Sequence, residues 1–281
     1  MRAVIAAALM TLPSAMAHAQ DACGQDGPAC QIDGGTYRIA LPDPSTASAP
    51  AIMFLHGAGG TGQGILRMQG TVDALAARGY AVIAPDGLPW GGGRGGGIWN
   101  FLPGLEREDP RDETAFLADV AADAADRYDL DADRMVLAGF SAGGFMVNYL
   151  ACDTPDAFAA YAPVSGGFWR PHPATCDGPV RLFHTHGWRD STVPLEGRPL
   201  RGGQWVQGDI FEGLTIWRDA NGCDWADPDS YSETGQFMRR RWDCGPGSAL
   251  ELAIFPGGHG VPEGWADMML DWFEALPEIE S

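Results

Sequence analysis

The sequence predicts an α/β domain with a mostly parallel sheet covered by helices on both faces. Two observations carry this. Short, almost uninterrupted apolar runs alternate with longer stretches of helical spacing along the chain. A glycine-flanked serine, Gly139-Phe140-Ser141-Ala142-Gly143, also stands where one apolar run gives way to a helix-like run.

Taken in order, a Pro/Ala/Ser stretch at 42–50 leads into an apolar strand at 51–55, which feeds the small-residue loop His56-Gly57-Ala58-Gly59-Gly60. Residues 66–78 have helical spacing, 80–84 form a second apolar strand, and 115–128 are Ala-rich with interspersed acids, as in a surface helix. Strands at 134–140, 158–164, 180–184 and 250–255 continue the alternation, with helices after Ser141, at 209–220 and at 265–276. The Gly-rich stretch 91–97 is a loop; no Gly-Lys-Ser/Thr follows it, so it is not a phosphate-binding P-loop. No repeat, heptad or long linker divides the chain, and residues 20–281 read as one domain.

Residues 1–19 combine one Arg, an apolar run and Ala17-His18-Ala19, the small-x-small form of a signal-peptidase site, so a signal peptide and export to the periplasm or medium are expected. The six cysteines, Cys23, Cys30, Cys152, Cys176, Cys223 and Cys244, all lie beyond that point, as suits an oxidising compartment. They allow 15 pairings. Proximity in sequence favours 23 with 30, 152 with 176 and 223 with 244, and none is spaced as C-x-x-C.

The formal charge of −19 repels nucleic acid and anionic membranes, and no run after the first segment is long and apolar enough to cross a bilayer. All 18 basic residues are arginine, which removes lysine Schiff-base and Ser-Lys chemistry. No cofactor and no metal is expected. His184 and His186 end a strand as a possible metal pair, but no third ligand has fitting spacing.

The frequencies of glycine and serine predict roughly 0.2 chance occurrences of G-x-S-x-G in this chain, so its company decides. Acyl transfer needs a nucleophile, a base to take its proton, an acid to orient the base and donors for the oxyanion. Ser141, Asp190 and His259 supply the first three in chain order, the latter two each just beyond an apolar strand, at the carboxyl edge where such sheets bind ligands. The oxyanion donors expected are the N–H of Ala142 and that of Ala58, with Gly57 or Gly59 as alternatives to Ala58.

With these residues in place, the chain resembles the secreted α/β-hydrolase esterases of the polyhydroxybutyrate depolymerase-like and feruloyl esterase-like group. The resemblance runs through HGAGG at 56–60, APDG at 84–87, WN at 99–100, GFSAGG at 139–144, HGWRDSTVP at 186–194, WRDANGC at 217–223 and PGGHG at 256–260. It implies a serine esterase with Ser141 as nucleophile, His259 as base and then acid, and Asp190 as its partner. The substrate implied is a hydroxyalkanoate ester, oligomeric or polymeric, with feruloyl or acetyl-xylan esters as the alternative. A non-catalytic carbohydrate- or lipid-binding role is the further alternative. The expected partner is a small or oligomeric ester, with Trp188 and Trp99 touching it; the sequence is silent on oligomeric state.

Overall fold

The computed structural model describes residues 23–24, 27–43, 46–90, 95–101, 110–224 and 226–277. The expected signal peptide at 1–19 and part of the Gly-rich loop lie outside them. One ten-stranded sheet organises the chain, in the order β1 (Cys30–Ile32), β2 (Gly35–Ala40), β4 (Ala81–Pro85), β3 (Ala49–Leu55), β7 (Leu130–Phe140), β8 (Ala160–Val164), β9 (Arg181–Gly187), β14 (Ala249–Phe255), β13 (Phe237–Trp242), β12 (Ser230–Thr234). The strands from β4 to β14 in that order pair in parallel, and both ends are antiparallel. Two small ribbons stand apart, β5 (Leu88–Pro89) with β6 (Gly97–Ile98) and β10 (Pro199–Leu200) with β11 (Trp205–Val206).

Helices close both faces. On one lie α3 (Glu113–Tyr128), α4 (Ala142–Asp153) and α5 (Ile210–Ala220), whose Phe116, Val147 and Trp217 join the core formed with Met53, Leu137 and Leu182. On the other lie α1 (Gly62–Leu66), α2 (Gln69–Ala77) and α6 (Trp265–Glu274), whose Val72, Trp265 and Met269 pack on Ile52, Val136 and Phe183. Alternate residues of each central strand serve opposite cores, so the buried stretches of these strands are mainly apolar; residues 131–134 of β7 are exposed or half-buried and mostly polar, and β9 carries the buried His184 and His186. Asp112 caps α3 by accepting from the Ala115 N–H, and Asp209 caps α5 by accepting from Phe211 and Glu212.

Two expectations change. The helical stretch at 66–78 is two helices, because the chain turns at Arg67 and Met68 between α1 and α2. The strands β1, β2, β12 and β13 carry no unbroken apolar run: β12 and β13 read SYSET and FMRRRW, and most of their side chains reach solvent. Edge strands of this kind are half solvated and escape an apolar-run criterion. Disulfides join Cys23 to Cys30, Cys152 to Cys176 and Cys223 to Cys244. No helix among the described residues is long and apolar enough to span a membrane.

Candidate active site

The site forms at the carboxyl edge of β3, β7, β9 and β14. Ser141 joins β7 to α4 with φ +56° and ψ −118°, a strained conformation for a residue with a side chain. Its neighbours make the turn possible. A methyl on Gly139 would strike the Gly143 backbone, and one on Gly143 would collide with the Leu55 carbonyl oxygen, so only glycine lets strand and helix approach this closely. The Ser141 N–H donates to the Val164 carbonyl at 2.9 Å, fixing the elbow against β8.

His259 and Asp190 arrive from adjacent parallel strands, with Gly187 paired to Phe255 in the β9–β14 ladder. The two following loops are bonded together: the Trp188 N–H donates to the Phe255 carbonyl, and the Arg189 N–H to that of Gly257. The Arg189 guanidinium also donates to the Pro256 carbonyl.

The result is a continuous line. His259 Nε2 lies 2.9 Å from Ser141 Oγ, and His259 Nδ1 lies 2.7 Å from Asp190 Oδ2. Asp190 is buried, and its Oδ1 accepts from the Thr192 and Val193 N–H groups. Burial pushes this carboxyl up, but the hydrogen bonds from His259 and the Val193 N–H, with the neighbouring imidazoles, outweigh it and hold it below the usual carboxylate range. An ionised Asp190 keeps the proton on Nδ1 and leaves Nε2 facing the serine as a base.

Opposite Ser141 runs the His56–Gly60 loop. A Cβ on Gly57 would lie 3.2 Å from the Ser141 Cβ, so this backbone passes directly beside the serine. The Gly59 N–H donates to the Gly97 carbonyl and the Gly60 N–H to that of Gly57. Gly59 is therefore no longer an oxyanion donor, which leaves Ala58 or Gly57 beside Ala142, the first residue of α4.

His56 braces this loop. Its Nε2 accepts from the Gly87 N–H, so Nδ1 carries the proton and donates to the Gly57 carbonyl, and burial keeps the ring neutral. Sequence reasoning missed this role, and that of Asp86, which accepts from Gly62 N–H and Thr36 Oγ1. The signal available was their place in the HGAGG and APDG motifs, with His56 heading the small-residue loop and Asp86 directly following β4.

Trp99 is corrected. It is fully buried, packs on the His56 ring and donates its indole N–H to the His56 carbonyl, so it supports the loop from behind and does not face a substrate. Trp188 is 61% exposed and stands two residues before Asp190. An aromatic run leads away from the serine: Phe145, one turn into α4, stacks on Phe101 and on Trp169, with Tyr149 beside Phe101. Among the described residues, no group of three or more His, Cys, Asp and Glu is placed to hold a metal.

Comparison with known proteins fits this architecture. The profile described as the prolyl oligopeptidase family matches residues 67–168. A protein named as an esterase, NocK of Nocardia uniformis subsp. tsuyamanensis, is 31% identical over 162 residues; the match covers 56% of this chain and 44% of NocK, less than half its length. Feruloyl esterase C of Emericella nidulans is 27% identical over 83% of this chain and 80% of its own. A poly(3-hydroxyoctanoate) depolymerase of Pseudomonas fluorescens is 27% identical over 56% of this chain and 62% of its own. Among solved structures, an acetyl xylan esterase from Aspergillus awamori superposes with a TM-score of 0.62 at 17% identity, over 86% of this chain and 94% of that one, which establishes the α/β-hydrolase fold.

Proposed function

We propose that this chain, which has the α/β-hydrolase fold, is a carboxylic ester hydrolase, that Ser141, His259 and Asp190 are its catalytic triad and that its substrates are esters of aromatic, hydroxycinnamoyl-type acids. The observation that carries the triad is the unbroken line from Ser141 Oγ through His259 to Asp190 Oδ2. As a substrate carbonyl approaches, Ser141 Oγ attacks its carbon while His259 Nε2 takes the hydroxyl proton. The carbonyl electron pair moves onto oxygen, where the Ala142 N–H and that of Ala58 or Gly57 stabilise it. Collapse expels the alkoxide, which takes the proton back from His259, and water repeats the sequence to release the acid.

The acyl preference rests on the feruloyl esterase C relative, which aligns over most of both chains. Exposed Trp188, two residues before Asp190, supplies an aromatic face for such an acyl group. Hydroxyalkanoate esters are the second reading, favoured by the poly(3-hydroxyoctanoate) depolymerase relative. Residues 1–19 direct export in this proposal, residues 20–281 form one catalytic domain, and the three disulfides suit that compartment.

The test is a fluorophosphonate adduct located by mass spectrometry, run beside turnover of methyl ferulate, p-nitrophenyl butyrate and hydroxyalkanoate oligomers. A single adduct on Ser141 with methyl ferulate preferred supports the proposal. Preference for the oligomers selects the second reading. No adduct on folded protein removes the triad and leaves a carbohydrate- or lipid-binding role to be assayed.

A further inference from the structure

Behind Asp190 lie two histidines that the acyl-transfer chemistry does not use. His184 and His186 sit on the same face of β9, both buried, their rings 5.4 Å apart and within 3° of parallel. His186 Nε2 is 2.8 Å from the Val193 carbonyl and 3.7 Å from Asp190 Oδ2, and its Nδ1 is 3.1 Å from His184 Nε2.

These contacts fix where the protons are. The Val193 carbonyl only accepts, so His186 Nε2 must carry a hydrogen. A neutral His186 then accepts at Nδ1, and His184 Nε2 is the donor. That leaves a bare Nδ1 on His184, whose ring lines a small cavity with Asn148, Phe168, Asp209 and Trp217. Burial favours the neutral form of both rings. The charged or titratable groups facing them are Asp190 and His259 on the loop side of His186, and Asp209 across the cavity from His184.

Val193 is the hinge of the arrangement. Its N–H donates to Asp190 Oδ1 while its carbonyl is held by His186, so one residue links the histidine to the carboxylate. We propose that His186, oriented by His184, is a positioning residue for Asp190: it holds the Asp190–Val193 turn so that Oδ2 points at His259. A neutral imidazole does this without competing for the carboxylate, whereas an arginine or a protonated histidine there would draw Oδ2 away from His259. The proposal rests on the triad assignment above.

The test compares His186→Phe, which keeps a flat ring without a donor, with His186→Gln, whose amide can still donate to the Val193 carbonyl. In the full chain, His186→Phe is expected to lower kcat roughly ten- to hundred-fold, the usual loss when a group orienting an active-site residue is removed, with KM little changed. The acid limb of its kcat/KM profile should move to lower pH, because a misaligned Asp190 stabilises protonated His259 less. His186→Gln should recover most of the rate. Wild-type kcat and pH profile in folded His186→Phe, or no difference between the two variants, overturns the proposal.

Should His186→Phe not fold, nitrogen NMR of histidine-labelled wild-type protein decides. A neutral His186 protonated on Nε2 supports the arrangement, and one protonated on Nδ1, or titrating together with His259, refutes it. Absence of a fluorophosphonate adduct on wild-type Ser141 would instead count against the triad, and the NMR result would still judge the histidine pair.

Discussion

Gly187 and Gly258 are in such close contact that a methyl group on Gly187 would run into the Gly258 carbonyl oxygen. One glycine ends β9, three residues before Asp190, and the other directly precedes His259. Their contact, with the hydrogen bonds from Trp188 and Arg189, holds the two loops together where His259 and Asp190 meet at 2.7 Å. The serine side uses the same device, with Gly143 against Leu55.

Replacing Ser141 with Ala should remove ester hydrolysis by roughly 10⁴- to 10⁶-fold, as expected when one member of a concerted set is lost. The circular dichroism spectrum and melting temperature should hold, because only one hydroxyl is deleted. Turnover of p-nitrophenyl butyrate near the wild-type rate would contradict the assignment.

Gly143→Ala should both destabilise the protein and slow it. The added methyl meets the Leu55 backbone, which lies in a central strand and has little room to give. Overpacking of this kind costs about 1–3 kcal/mol, and the elbow must shift by enough to misplace Ser141. Thermal melts and kcat on the same sample check it, and a variant with wild-type values for both would refute the steric account.

Asp190→Asn should lower kcat by roughly 10⁴-fold at neutral pH, since an amide can present its N–H to His259 Nδ1 and stabilise the wrong tautomer. The carboxyl is held below its unfolded value, so its stabilising contribution is complete above about pH 3.9 and is lost as pH falls through the lowered folded value. The variant should therefore show a shallower loss of stability at the acid end of that range, measurable by denaturant midpoint against pH.

His56, His184 and His186 are all buried with their affinity for protons lowered. Unfolding releases them to titrate near pH 6.5, so below that the unfolded state binds more protons and stability declines as pH falls. Above it their effect is flat. Melting temperatures measured from pH 8 down to 5 should stay level and then drop, and a level profile throughout would argue against buried neutral imidazoles.

Trp188→Ala and Trp99→Phe should separate a substrate contact from a support. Loss of exposed Trp188 should lower kcat/KM for methyl ferulate more than for p-nitrophenyl acetate. Trp99→Phe keeps the ring packing but leaves the His56 carbonyl without its donor, at about 1–3 kcal/mol, and should slow both substrates alike by loosening the oxyanion loop. Kinetics on the two esters distinguish them, and a Trp188→Ala variant equally impaired on both would exclude a selective aromatic contact.

Much of the fold was legible because β3, β4, β8 and β14 and the second half of β7 are buried on both faces and mainly apolar, whereas β9 showed only a short apolar start before its polar His184-Thr185-His186 end. The antiparallel ends were not legible in this way. A strand such as β13, with Arg239, Arg240 and Arg241 in succession, has solvent nearby and no pattern to enforce. The elbow could be read because its strain requires small residues at fixed spacing, and chain order then narrowed the choice of Asp190 and His259.

What the sequence determined by itself is therefore local: which runs are strands, where the backbone must turn sharply, and which side chains end at the same sheet edge. Tertiary structure decided whatever depends on two distant segments meeting. It buried Trp99 behind the His56 loop, committed the Gly59 N–H to Gly97, and set His186 beneath the Asp190 turn through Val193. A hydrogen bond exists only when donor and acceptor come within about 3 Å, and spacing along the chain does not encode that separation for residues from different strands and loops.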